Sequence, residues 1–249
     1  MITIQVTAFR WVPPFAQGLV RDLRVRWALE EAGLPYEEQL IGPDQQRSSE
    51  YRSLQPFGQV PAYVEDGLML FESGAIVLRT AERSEALLPA GPQARARTHA
   101  WMFAALNSIE PHLQNLTELD LFHAGEAWTA ERRPMLLDRA KSRLADLAKA
   151  LDGRDYLEDR FTAGDLLMAT VLRIPRHIPL VAGFPALAAY LERCAARPAF
   201  RRALAAAHVV SAWLSESASP ARHYLNSSAD ESTAIDPEQG PPGWQRRVL

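Results

Sequence analysis

Glu72 and Ser73 stand side by side ahead of Gly74-Ala75-Ile76-Val77-Leu78-Arg79-Thr80-Ala81, an apolar run whose spacing predicts a helix. A helix N-terminus presents unpaired N–H groups and the positive end of the dipole, so it can hold a carboxylate. The Ser73 hydroxyl adds a donor and the Glu72 carboxylate can take an ammonium, so the pair suits an amino-acid zwitterion. The plainer alternative is that Ser73 only caps the helix. Two extended runs bring the chain to this point. Pro61-Ala62-Tyr63-Val64 reads as a strand with Pro at its first position, and Leu68 to Phe71 as a second strand. Glu65-Asp66-Gly67 is the tight turn between them, with Gly supplying a positive φ.

The whole pattern, Gln59-Val60-Pro61, a hairpin, then Glu72-Ser73-Gly74-Ala75-Ile76, closely resembles the glutathione-binding half of the cytosolic glutathione S-transferase family. The resemblance implies that Pro61 follows a cis bond and that Val60 pairs its main chain with the cysteinyl unit of glutathione, a form of strand augmentation. It further implies that Glu72 and Ser73 hold the γ-glutamyl end, with Gln59 near the glycyl end. Glutathione is then the co-substrate and the activity that of a transferase. A homodimer is implied too, pairing the N-terminal half of one chain with the first two long helices of the other.

A thiol attacks as thiolate, and glutathione's thiol is mostly protonated at neutral pH. In the family a Tyr, Ser or Cys near the end of the first strand or the start of the first helix ionises it. The segment Phe9 to Asp22 contains none of the three. The catalytic group is therefore open, with Trp11, Gln17, Arg21 or main-chain amides at the helix start as candidates. Asp22 would oppose a thiolate and is expected to point outward. The second substrate, an apolar electrophile, is expected between this loop and the first long helix of the C-terminal half. Trp11, Phe15, His99, Trp101, Met102, Phe103 and Asn107 are its pool, although Trp101 and Phe103, two apart on a helix, cannot both face one cleft. The alternative to an enzyme is a protein on the same scaffold that holds glutathione or an apolar ligand without turnover.

These residues need a scaffold, and its class is legible. Ile2 to Phe9 reads as a strand, Leu19 to Ala32 as a helix closed by Gly33, and Tyr36 to Ile41 as a second strand, a crossover whose strands are parallel. With the hairpin and helix that follow, the resemblance makes this a thioredoxin-like α/β domain over residues 1–84. A linker spans 85–92, and an all-α domain follows over 93–214, with long helices at Ala94 to Leu116 (interrupted near Glu110-Pro111) and Glu131 to Leu151. Residues 117–130 are ambiguous. Thr162-Ala163-Gly164-Asp165 is a capping box opening an apolar helix. Ala186 to Cys194 and Pro198 to Ala207 are the last helices, and residues 215–249 read as a polar tail.

Composition narrows the function classes. The 249 residues carry 27 basic and 30 acidic side chains, a formal charge of −3, which points to neither a nucleic-acid surface nor an anionic membrane. No apolar run is long enough to span a bilayer, and the first residues do not read as a secretory signal, so the expected location is the cytoplasm. A single cysteine, Cys194, excludes an internal disulfide and disulfide chemistry by the protein itself, and its helical spacing with Leu187 and Tyr190 places it in a core. The six histidines show no metal-ligand spacing, so no metal is expected.

Overall fold

The computed structural model describes residues 3–206. Strand β1 (Ile4–Phe9), buried at Ile4 and from Val6 to Ala8, leads through a short 3-10 turn, Pro14–Ala16, to helix α1 (Asp22–Ala32). Strand β2 (Tyr36–Ile41) runs parallel to β1, in register from Ile4 opposite Tyr36 to Phe9 opposite Ile41. Two short helices, α2 (Pro43–Arg47) and α3 (Ser49–Leu54), precede strands β3 (Ala62–Glu65) and β4 (Leu68–Phe71) and helix α4 (Ser73–Ala81). The sheet order is β2-β1-β3-β4, with β3 antiparallel to both neighbours. Asp66 and Gly67 both take positive φ, 48° and 79°, the two-residue turn whose twist matches the flanking strands.

The remainder is helical: α5 (Pro92–Phe103), a π-helical segment (Ala104–Ile109), α6 (Glu110–Phe122), α7 (Ala127–Leu151), α8 (Ala163–Leu172), α9 (Pro185–Ala195) and a last helical stretch over 198–206. The interruption expected near Glu110-Pro111 is thus a widened turn inside a continuous rod. Pro111 lies in the first turn of α6, where its missing N–H costs little. The ambiguous 117–130 stretch divides between the end of α6 and the start of α7. The polar tail, with Trp244 and Leu249, lies outside the described residues.

Helix α1 starts three residues later than its apolar pattern predicts. The preceding stretch is spent on turns, with Gly18 at φ 71° and Leu19 N–H donating back to the Ala16 carbonyl at 2.9 Å. Every residue from Asp22 to Leu29 is buried, because α1 lies beneath the sheet and α4 and also packs on α8. One apolar core runs through both halves: Trp27 meets Phe161 at 5.7 Å and Phe200 at 4.7 Å between ring centroids. Glu31 clasps Arg197 across that boundary, accepting Nε at 2.6 Å and Nη2 at 2.8 Å. Leu87 and Leu88, in the segment between α4 and α5, are fully buried, and the Leu87 carbonyl accepts the Ala163 N–H at 2.8 Å. The connection is therefore docked into the core.

The capping box is present. Thr162 Oγ1 accepts the Gly164 N–H at 3.2 Å, while Asp165 Oδ2 accepts the Thr162 N–H at 2.9 Å. Asp165 Oδ1 also takes the Leu157 N–H at 2.8 Å and the Tyr190 hydroxyl at 3.0 Å, so one carboxylate ties a loop and α9 to the start of α8. Thr162→Ala is expected to lower unfolding stability by about 1–2 kcal/mol, measured by chemical denaturation, with no change in ligand affinity. Cys194 is fully buried, and burial pushes its thiol up to about 12, so it serves as a core thiol.

Candidate functional site

The site is built where the sheet's second half turns into α4. The Val60–Pro61 bond is cis, as the resemblance implies. Its neighbourhood is pinned from beneath: the Tyr51 hydroxyl donates to the Gln59 carbonyl at 2.6 Å, and Thr7 Oγ1 accepts the Ala62 N–H at 2.6 Å. Gln46 Nε2 donates to the Gly58 carbonyl at 2.6 Å. Helices α2 and α3 thus buttress the strand entry, a purpose their sequence does not announce. The Val60 N–H and C=O take part in none of the hydrogen bonds found among the described residues, while its side chain belongs to a small buried apolar cluster with Val12, Tyr51 and Ala62.

Glu72 occupies the N-cap position of α4 at φ 70° and ψ 111°, a conformation that costs a non-glycine residue about 1–3 kcal/mol and is found at ligand clamps. Ser73 follows at the first helical position, so it is not the cap. Its Oγ, buried, accepts Arg24 Nη1 at 3.3 Å. Gly74 lets the π-helical segment approach closely, since a Cβ would stand 2.5 Å from Leu106 Cδ1 and push that side chain aside.

Arg24 and Glu110 were not singled out by the sequence. Arg24 is buried, with Nη2 3.0 Å from Glu110 Oε1, and the same oxygen accepts Nε of Arg21 at 3.1 Å and Nη2 at 2.8 Å. Burial pulls the Arg24 pKa down, and Glu110 pushes it back up in part. For Glu110, burial raises the pKa but the two guanidinium groups outweigh it and hold the carboxyl below its ordinary value. Arg21 and Arg24 outnumber Glu110 within the cluster and add to the helix dipole, while Glu72 at the N-cap sets a negative charge beside them, so the start of α4 offers both signs. Arg21, at the N-cap of α1, and Arg24 lie about one turn apart, a legible spacing. Their acid partner lies far along the chain, which no local pattern reveals.

A cavity of about 720 Å³ gathers these groups. Gln59, Glu72, Ser73, Arg21 and Arg24 line one side of it, and His99, Met102, Phe103 and Asn107 from the second-substrate pool line the other. Phe103 faces the cavity, whereas Trp101 points away and donates its Nε1 to Glu158 Oε1 at 3.1 Å. Phe15 leaves the pool as well, packed edge-on against Phe122 at 5.8 Å. Trp11 and Gln17 line a separate cavity of about 30 Å³, so of the three side chains that are candidates for thiol activation Arg21 is the one lining the main cavity. Asp22 is a correction: it is buried, and can be, because Arg26 Nε sits 2.9 Å from its carboxylate and also pairs with Glu38. Burial raises the Asp22 pKa against that partner.

Two family models match this chain, that for the glutathione S-transferase N-terminal domain over residues 15–78 and that for the C-terminal domain over residues 129–198. The chain belongs to the glutathione S-transferase family. Its thioredoxin-like sheet and all-α half are those of that fold. Glutathione S-transferase 3 of Zea mays is 32% identical over 203 residues, covering 74% of this chain and 88% of the relative. A glutathione S-transferase of Hyoscyamus muticus is 30% identical over 202 residues, or 73% and 92% of the two chains. Among solved structures, a family member from Pseudomonas fluorescens with two glutathione bound superposes at a TM-score of 0.69, with 27% identity, over 81% of this chain and 92% of that one. A glutathione transferase of Burkholderia graminis, with two glutathione molecules per subunit, gives 0.71 at 28% identity over 81% and 87%. Among the described residues of this glutathione S-transferase, no helix is long and apolar enough to cross a membrane, and no cluster of His, Cys, Asp or Glu could hold a metal ion.

Proposed function

We propose that the large cavity seats glutathione as thiol donor and that the enzyme transfers it to an electrophilic small molecule lodged against α5 and α6. The γ-glutamyl carboxylate would lie at Ser73 and the first turn of α4, the ammonium at Glu72, the cysteinyl main chain along Val60 ahead of cis Pro61, and the glycyl end by Gln59. One observation carries this reading: a strained Glu72, a buried Ser73 hydroxyl and a net positive Arg21–Arg24–Glu110 group converge on one helix start. That array matches both charges of an amino-acid head, and the glutathione found in related structures supports the choice.

For the second substrate, Met102, Phe103 and Leu106 supply the apolar wall expected of an electrophile's pocket. Asn107, Gln114 and Asn115 interrupt it. Together with the second glutathione held by the two related structures, this favours an electrophile with polar substituents over a purely apolar one. The missing Tyr, Ser or Cys between Phe9 and Asp22 keeps the non-catalytic binding protein as the second reading. Ultraviolet titration of bound glutathione separates the two. A thiolate band near neutral pH is the expected result, binding without the band would establish a glutathione-binding protein without turnover, and no binding would refute transfer and leave only a holder of an apolar ligand.

The working unit is proposed to be a homodimer. Phe57, 62% exposed, stands 6.1 Å from the ring of Phe71 on the open edge strand β4, beside Met69 at 55%. A free strand edge lined with apolar side chains needs a cover. Phe103, Trp128 and Met135 on the helical half are also exposed and offer the matching surface. Sedimentation is expected to show a dimer for the wild type and a monomer for the Phe57→Asp, Met69→Asp double variant. A monomeric wild type would refute the assembly.

A further inference from the structure

The loop ahead of α1 is held by two arginines from the far end of α8. Arg173 Nη2 donates to the Gly18 carbonyl at 3.2 Å, and Arg176 Nη2 donates to the Phe15 carbonyl at 2.8 Å and the Pro14 carbonyl at 3.4 Å. The packing is close: a Cβ at Gly18 would stand 2.7 Å from Leu204 Cδ1 and 3.3 Å from Arg173 Nη2. The Arg173 guanidinium also lies over the Phe200 ring, 4.8 Å from its centroid.

Neither arginine forms an ion pair among the described residues. The nearby acids are engaged elsewhere or stand off. Asp22 is paired with Arg26, Asp120 with Arg133 and His177, and Glu192 of α9 lines the same groove as both arginines without forming an ion pair to either. Burial, with Arg176 adding repulsion, pulls Arg173 down to about 10, and burial lowers Arg176 as well. Arg176 is exposed at the surface, but Arg173 is half-buried, and such a cation without an anion is unfavourable unless something else compensates. The described acceptors of both arginines are carbonyls of the one loop where the family places its thiol-activating residue and where this chain has none.

We propose that Arg173 and Arg176 are positioning residues for glutathione transfer, fixing the loop from Pro14 to Gly18 and setting a positive potential behind the start of α1, so that the bound thiol loses its proton to water without a side-chain hydroxyl or thiol to assist. The inference rests on the function proposed above. Its test is the pKa of glutathione's thiol bound to the full-length protein, followed by ultraviolet absorbance in the wild type and in Arg173→Met, Arg176→Met and Arg173→Lys. Each Met variant is expected to raise that pKa by about one unit, roughly tenfold less thiolate at a given pH below it. The turnover number should fall by a similar factor while the KM for glutathione stays within about twofold, and Arg173→Lys should recover most of the wild-type pKa. A merely structural role would lower thermal stability and leave the thiol pKa in place. If Arg173→Met fails to fold, Arg176→Met, at an exposed position, carries the same readout. Met variants that bind glutathione with the wild-type thiol pKa overturn this inference alone, whereas a wild type that binds no glutathione overturns the function and this inference together.

Discussion

Glu110→Ala is expected to lower the unfolding free energy by about 3–5 kcal/mol, the largest single-residue effect on stability that the site offers. The carboxylate is buried and one of its oxygens answers two guanidinium groups, Arg21 at 2.8 Å and Arg24 at 3.0 Å. Removing it strands Arg24 as a charge in the interior, since Ser73 Oγ at 3.3 Å is its other described partner. An arginine cannot escape by losing its proton. Glu110→Gln keeps the volume and an acceptor oxygen, so it should cost clearly less. The pair of variants also fixes a pH dependence. The folded-state pKa of Glu110 is depressed, so its ionic contribution is fully present above the ordinary carboxylate pKa and is lost as pH falls through the lower folded value. Urea denaturation should show the gap between wild type and Glu110→Gln at neutral pH and its closure in acid. A loss below about 1 kcal/mol for Glu110→Ala would mean that the cluster behaves like an exposed ion pair.

That cluster marks the limit of what the chain discloses before folding. Local rules sufficed where the determinant was local. Tyr36–Ile41 and Leu68–Phe71 form strands over the ranges expected, Gly33 closes α1 at φ 66°, and Thr162 with Asp165 caps α8. Glu72 and Ser73 were legible as a pair at a helix start, whereas Gln59, which lines the same cavity, was implied only by the family resemblance. What local rules missed depends on distant partners. Asp22 looks like a surface acid until Arg26 is seen to be buried beside it and held by Glu38. Arg24 looks like a solvated helix residue until the π-helical turn delivers Glu110 to it. Leu87 and Leu88 sit in a Ser, Pro and Gly-rich stretch that reads as a spacer, yet the core of both halves closes over them. The short helices α2 and α3 had readable starts, Gly42-Pro43 and Ser48, whose Oγ accepts the Tyr51 N–H at 3.1 Å, but at five and six residues they carry no periodicity to weigh.

Ser73→Ala is expected to weaken glutathione binding by about 1–3 kcal/mol, roughly 5- to 150-fold in dissociation constant. The hydroxyl is buried at the floor of the cavity, and in the free protein it accepts from Arg24, leaving its own hydrogen to be donated into the cavity. A carboxylate seated there takes that hydrogen along with the first N–H groups of α4. In the alanine variant one carboxylate lone pair is desolvated without a donor, and Arg24 Nη1 loses its acceptor. The affinity cost should come with little loss of fold stability, because Glu72 and not Ser73 holds the N-cap position and neither side chain makes a cap bond. This contrast separates ligand recognition from helix capping. Capping alone would lower the denaturation midpoint and leave calorimetric affinity unchanged, and that outcome would detach Ser73 from the ligand and with it the placement of the γ-glutamyl head. Because the cavity side of Ser73 belongs to the α/β half and the Arg24–Glu110 pair ties it to α6, affinity in Glu110→Gln should fall in the same direction but less far, through a looser Arg24 and with the hydroxyl still in place.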